Sequence, residues 1–283
     1  MAAAVAAPRA ARRIRTTFVP RIPEILAGLV LVTVILWAVV PGLFTSIDPT
    51  LAVPADKLSA PDAAHPFGTD YLGRDLLSRV IHGSRDSLTG AVIAVVAGLI
   101  IGLPLGLIAG FRRGVIDAVL MRATDTLLAI PGFLLALTVV VVLGFSTLNA
   151  AIAVGISSSA TFARLVRSEV LRVTGTAYVE AAVSHGLTPG RILLRHVLPN
   201  SVNSVTALIA LQLGLAILWI ASLSFLGFGA QPPDPEWGLL LSEGRNYLAT
   251  RYWLTLYPGA VVVAVVLAFS IISRAFRRSR ILP

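Results

Sequence analysis

The sequence predicts an all-α, polytopic membrane fold of about six transmembrane helices. Three observations lead there. Of 283 residues, 56% are hydrophobic and only 13% charged, whereas soluble domains carry about 25% charged residues. Apolar stretches recur at close to the ~20 residues that a bilayer core demands. Basic residues gather at alternate ends of these stretches, as cytoplasmic flanks do. In lipid each backbone polar group has to be satisfied inside its own segment, so such stretches read as helices.

The elements follow in chain order. Residues 1–24 read as a cytoplasmic tail, rich in Ala and holding Arg9, Arg12, Arg13, Arg15 and Arg21. A cleaved leader is the rival reading, but the apolar run 25–44 is longer than the roughly 7–15 residues of a leader core, so it reads as a retained first span. The second span, 88–111, places Gly98, Gly102, Gly106 and Gly110 four residues apart. Small residues at that period make a smooth stripe where another helix approaches closely. A third segment, 117–144, is interrupted at Pro131-Gly132, where a kink is expected. Spans four to six fall at 148–165, 201–228 and 254–276, the last followed by Arg277, Arg278 and Arg280. The membrane-spanning body is therefore 25–276, with a tail at 277–283.

Charge sets the orientation. With the N-terminus inside, the cytoplasmic segments hold Arg112, Arg113, Arg164, Arg167, Arg172, Arg191, Arg195 and Arg274 besides the basic tails. The outside loops, 45–87 and 229–253, hold most of the acids, among them Asp48, Asp56, Asp62, Asp70, Asp75, Asp86, Asp234, Glu236 and Glu243. That asymmetry predicts both termini in the cytoplasm and one long inside segment, 163–200.

Reaction chemistry is poorly represented. Cysteine is absent, which excludes disulfides, thiolate catalysis and cysteine-ligated metals. His65, His82, His185 and His196 lack metal-binding spacing, and neither HExxH, GxSxG nor GxxxxGK[ST] occurs. No metal or cofactor is expected on this chain, and nucleotide has to be held by another polypeptide if transport is ATP-driven. The net charge of +9 is topological, because the arginines do not interleave with aromatic stacking residues as in nucleic-acid binders. Ser157, Ser158 and Ser159 read as interhelical hydrogen-bonding groups. Arg122 and Asp125, three residues apart, are expected to pair on the cytoplasmic first turn of the third segment.

The inside segment carries the strongest pattern. Residues 176–200 read TAYVEAAVSHGLTPGRILLRHVLPN. Tyr178 to His185 suits a short helix, Gly186 ends it, Thr188 and Pro189 open a second helix, and Pro199 interrupts that helix before the fifth span. The product is an amphipathic elbow, apolar on one side and basic at Arg191 and Arg195. An exposed elbow of this kind lies on lipid or fits a partner's groove.

Glu180, Ala181 and Ala182, then Gly186, Ile192, Leu198 and Pro199, resemble the "EAA" loop of bacterial binding-protein-dependent ABC importer permeases. Val183, Ser184 and His185 depart from the basic filler more usual there. Two outer stretches narrow the resemblance to the dipeptide/oligopeptide/nickel branch and its C-type subunit. One is FGTDYLGRDLLSR at 67–79, with Asp70, Gly73, Arg74 and Asp75. The other is SFLGFG at 224–229, followed by Gln231, Pro232, Pro233, Pro235, Glu236, Trp237 and Gly238. Met121, Arg122, Asp125 and Pro131 also look familial.

The resemblance implies a type I ABC importer permease fold in the bacterial inner membrane. It also implies a B-type partner permease, ATPase subunits that hold ATP and Mg, and an extracytoplasmic solute-binding protein. In that reading the elbow couples to the ATPase. Bottom-up, Asp75 and Arg79 are expected to pair at i, i+4 and hold a helix against the outer rim, direct solute contact being the alternative. Trp237 is expected to anchor at the membrane interface. A secondary transporter or channel is the rival class, and an intramembrane enzyme a third. The first needs ionisable groups near midplane or paired helix breaks, the second a catalytic pair within the spans, and neither is evident.

Overall fold

The computed structural model describes residues 21–278. The tail expectations on Arg9, Arg12, Arg13, Arg15 and Arg280 lie outside the described residues. The elements are α1 (Ile22–Val39), α2 (Leu76–Arg112), α3 (Gly114–Ala129), α4 (Gly132–Leu143), α5 (Thr147–Thr174), α6 (Ala177–Ser184), α7 (Pro189–Ile192), α8 (Leu198–Phe225), α9 (Trp237–Gly244) and α10 (Trp253–Arg278). Among the described residues the only extended pairing is the isolated Thr69–Asp75 bridge.

Among the described residues four helices are long and apolar enough to cross a membrane: α1, α2, α8 and α10. The pair α3–α4 makes a fifth span if it is taken as one, bent by 90° at its break. Ile130 precedes Pro131 and is pushed into an extended conformation, which ends α3. The fourth expected span, α5, is 28 residues long but less apolar, because Ser157, Ser158 and Ser159 and the arginines from Arg164 onward lie along it. It compensates by position, sheltered among α2, α4 and α8.

The glycine stripe of α2 packs on α5. A Cβ at Gly102 would run into Ser159, Phe162 and Ala163; at Gly106, into Ala163 and Val166; at Gly110, into Val170. Bilayer helices gain little from apolar burial against one another, so close backbone approach of this kind supplies much of the packing energy. α2 also starts earlier than hydropathy indicates, at Leu76 rather than 88. Asp75 caps it by accepting from the Ser78 amide at 2.7 Å. Its first turns are polar, which hid them from a reading based on apolar runs.

The basic ends meet at one end of the bundle. Arg278 lies 3.7 Å from Glu24, joining the end of α10 to the start of α1. Arg113 donates to Thr174, joining the ends of α2 and α5. The expected Arg122–Asp125 pair is not formed. Asp125 instead accepts from Arg164 at 2.5 Å, and Asp117 takes a two-pronged contact from Arg167 at 2.5 and 2.7 Å. Both pairs cross from α3 to α5, because α3 folds back along α5 and a guanidinium fork matches a carboxylate across helices. Of the three serines, Ser157 bonds between helices, to the Gly132 carbonyl at 2.6 Å, while Ser158 and Ser159 bond within α5.

Candidate functional site

The elbow is built on a buried apolar cluster at the basic end. Val179, Ala182, Ile192 and Val197 pack with Val166, Val170 and Val173 of α5 and Val205 of α8, flanked by Leu103, Leu107 and Phe111 of α2. α6 stops at Gly186, whose φ of 75° lies in the left-handed region. The Leu187 amide then reaches back to the Ala182 carbonyl at 3.3 Å. This is the Schellman closure, in which an amide beyond the helix end satisfies an orphan carbonyl and an apolar contact accompanies it.

The motif residues divide by face. Glu180, Ala181, Gly186 and Pro199 are exposed, Ala182 and Ile192 are buried, and Leu198 is half-buried. The smallness of Ala182 therefore serves packing inside this chain, while Ala181 leaves a low outer surface beside Glu180. Nothing lies within 4 Å of a Cβ built at Gly186, so its requirement is conformational. Tyr178 clamps the two limbs: its hydroxyl is 2.7 Å from His196 Nδ1 and the rings meet edge to face at 5.0 Å.

The second limb differs from expectation. Pro199 does not interrupt it. After α7 the chain makes one π-helical turn, Leu193–Val197, and runs directly into α8. The wider turn carries a Leu198 amide bond to the Leu193 carbonyl. Pro199 has no amide proton to give to the turn before it, and the helix runs on through that one missing bond. The elbow is thus a continuous extension of α8.

At the other end the outer motifs form a packed cap. Asp70 accepts from the amides of Leu72 (2.8 Å) and Arg74 (3.0 Å), from Arg74 Nε (2.6 Å) and from Arg79 Nη1 (2.7 Å). Glu243, on α9, accepts from Arg79 Nη1 at 2.6 Å and from Tyr71 at 3.2 Å, with Arg74 at 3.3 Å. Burial and the Glu243 carboxylate push the Tyr71 phenol above its usual range.

Arg79 is 0% exposed and bridges two carboxylates instead of pairing with Asp75. Asp75 is occupied as helix cap and by His65 Nδ1 at 2.8 Å. Gly73, with φ of 82°, turns against the Val53 backbone, which leaves no room for a Cβ. Asp70, Gly73, Arg74 and Asp75 are all buried. They hold the cap together and offer no free group to a solute.

Pro232 and Pro233 are exposed on the connection to α9, but Trp237 is 0% exposed. The expected interfacial anchor is therefore an interior residue. Its Nε1 donates to the Val80 carbonyl at 2.9 Å, so the indole needs no water. Gly238 lets α9 lie directly on the Ala221 backbone of α8. Glu236, 0% exposed, caps α9 through the Leu239 amide at 3.0 Å and accepts from Ser87 at 3.2 Å; burial pushes its carboxyl above the usual range. Glu243 entered the sequence reading only as an outside acid, because no local spacing links it to arginines more than a hundred and fifty positions earlier.

A bundle of membrane-length helices, with one basic end bearing an elbow and a packed cap at the other, defines a multi-pass membrane protein. The chain belongs to the family described as "Binding-protein-dependent transport system inner membrane component", which matches residues 102–281. It is 42% identical over 253 residues to the dipeptide transport system permease protein DppC of Alkalihalophilus pseudofirmus, covering 89% of this chain and 83% of that one. It is 39% identical to the glutathione transport system permease protein GsiD of Pectobacterium atrosepticum, over 78% of this chain and 74% of the relative. For the same-named protein of Escherichia coli O6:K15:H31 the figures are 44%, 77% and 72%. A chain of the MetNI methionine ABC transporter, solved in inward-facing conformations, shares the fold with a TM-score of 0.60 at 17% identity, over 72% of this chain and 97% of that chain. The protein is thus a permease subunit of an ABC importer, a translocating component that works with ATPase subunits and a partner permease, and not itself an enzyme.

Proposed function

We propose that this chain forms, with a B-type permease, the inner-membrane path of an importer for small peptides, and that residues 180–199 couple it to the ATPase. The observation that carries the coupling reading is the division of the elbow into two faces. Ala182, Ile192 and Val197 are buried against α5 and α8, so displacement of the elbow is transmitted to both helices. Glu180 and Ala181 face outward from the same short helix and are free to meet a partner. ATP and Mg sit on the partner subunits, and this chain carries no cofactor. Closure of the ATPases pulls the elbow and rocks α5 and α8 between inward- and outward-open arrangements, a two-state gate biased at one end.

The cargo reading draws on relatives named for dipeptide and glutathione transport, which share a small peptide with free charged ends. A solute-binding protein delivers it to the outer face, where the exposed Pro232 and Pro233 lie. In this orientation both termini and the elbow are cytoplasmic, following the arginines.

Co-purification tests the coupling. Tagged wild type should retain both the ATPase subunits and the partner permease in detergent. Glu180→Arg, a change on an exposed side chain, should keep the permease and lose most of the ATPase. Equal ATPase retention by the two proteins would rule out Glu180 as a docking residue.

A further inference from the structure

A cavity of about 280 Å³ lies at the break between α3 and α4, open on the side of the exposed Leu127, Ile130 and Pro131, near the lower end of the roughly 300 Å³ from which small-ligand sites range upward. Leu128, Ser157, Thr161, Leu208, Gln212 and Trp219 are among its walls. Two independent features give it chemistry. The first is the break. The first backbone bond into α4 runs from the Leu135 amide to the Pro131 carbonyl at 3.1 Å, which leaves the amides of Gly132, Phe133 and Leu134 open among the described residues. Of these three residues Gly132 lines the cavity, so the first turn of α4, its positive end, borders it. The break is fixed by its neighbours: Ser157 donates to the Gly132 carbonyl at 2.6 Å, and a Cβ at Gly132 would press on the Trp219 ring at 2.5 Å.

The second feature is Gln212. It sits mid-way along α8, is 8% exposed, and has no hydrogen-bond partner among the described residues. Its carboxamide borders the cavity, where water or a polar group of a solute is its available partner. Its neighbour across the cavity, Thr161, also lacks a partner among the described residues. The remaining walls are apolar. Open helix amides suit an anion, a carboxamide suits a peptide group or carboxylate, and Leu208, Leu128 and the Trp219 ring suit an apolar side chain.

We infer that this cavity is a solute subsite within the permease, taking a small peptide-like solute with its carboxylate at the α4 amides and its amide at Gln212. The inference rests on the peptide-cargo reading above. It deepens that reading by placing selectivity in this chain as well as in a delivering protein. Unlike a smooth apolar channel, the subsite discriminates by the free carboxylate.

The test uses the assembled transporter labelled with 5-fluorotryptophan, the Trp219 resonance being assigned from a Trp219→Phe spectrum. Glycyl-leucine should shift that resonance saturably, and glycyl-leucinamide, which lacks the carboxylate, should do so only weakly. Gln212→Leu should raise the half-saturating concentration about tenfold, as expected for one lost polar contact. Thr161→Val provides a second, milder variant should Gln212→Leu fold poorly. No shift, an equal shift with the amidated peptide, or a titration unchanged in both variants would overturn the subsite. Uptake of glycyl-leucine by wild-type proteoliposomes is measured alongside. Uptake without a Trp219 shift retains the cargo and removes the subsite. A carboxylate-dependent shift without uptake retains the subsite and removes glycyl-leucine as cargo.

Discussion

Arg79 is buried on every side and holds two carboxylates from different parts of the chain, Asp70 and Glu243. Removing one member of such a network leaves an unpaired buried charge, typically a loss of about 3–5 kcal/mol. Arg79→Met should therefore lower the unfolding temperature in detergent sharply, and a double-mutant cycle with Glu243→Gln should show non-additive losses. A melting point within a degree of wild type would mean that the cap is held by packing alone. Glu236 gives a pH signature. Its folded-state carboxyl is raised by burial, so its stabilising contribution is full at acid pH, below the unfolded glutamate value near 4.3, and declines as pH rises through the raised value. Glu236→Gln, whose one carbonyl oxygen can take the Leu239 amide while its NH2 donates to the Ser87 hydroxyl, should flatten that decline in a melting series from pH 4 upward. At the elbow, Gly186→Ala meets no neighbouring atom but forces a left-handed residue, costing roughly 1–2 kcal/mol. Retained ATPase should fall moderately while the transmembrane melting transition stays put.

At the scale of helices, the α2–α5 contact decides whether the bundle closes. Gly102, Gly106 and Gly110 meet backbone or Cβ atoms of α5, whereas a Cβ at Gly90 meets the movable tip of Ile220 and one at Gly28 meets nothing within 4 Å. Alanine at Gly106 should cost about 1–3 kcal/mol as overpacking and reduce the yield of folded protein. Gly28→Ala and Gly90→Ala should be close to neutral, which fluorescence-detected gel filtration of tagged protein can compare. A flat series would show that the stripe tolerates separation. This stripe was legible because a period of four is a local property of the chain, but its partner was not, since nothing local singles out α5. The same limit explains other departures. Asp75 and Arg79 have pairing spacing, yet a carboxylate just before a helix is captured by that helix's own amides, which frees Arg79 for distant acids. Asp117 and Asp125 turned to α5 because α3 folds back along it. Trp237 has the composition of an interfacial residue, and only the docking of α9 onto α2 and α8 makes it interior. Apolar length located the spans but shortened both α2, whose capped outer turns are polar, and α5, whose second half carries the arginines from Arg164 onward.

The whole molecule has an electrical direction. Arg112, Arg113, Arg172, Arg191, Arg195, Arg277 and Arg278 occur at the end of the bundle that carries the elbow, while the cap at the other end holds Asp56, Asp62, Asp70, Asp75, Asp234, Glu236 and Glu243. Cytoplasmic retention of Lys and Arg then predicts that elbow, α1 start and α10 end all face the cytoplasm. Arg278 reaches Glu24, so one orientation fixes the start of α1 and the end of α10 together. The chain contains no cysteine, so any introduced thiol reports without background. Asp62→Cys and Asp234→Cys place a thiol on exposed loops of the cap, and Ser184→Cys places one on the exposed side of the elbow. In intact spheroplasts a membrane-impermeant maleimide should label the two cap thiols and leave Ser184→Cys unlabelled until the membrane is opened. Co-expressed ATPase should then protect Ser184→Cys and leave the cap thiols reactive, because only the elbow face lies beneath it. Labelling of Ser184→Cys from outside would invert the protein. It would also remove the coupling role of Glu180, since an elbow on that side has no access to cytoplasmic ATPase.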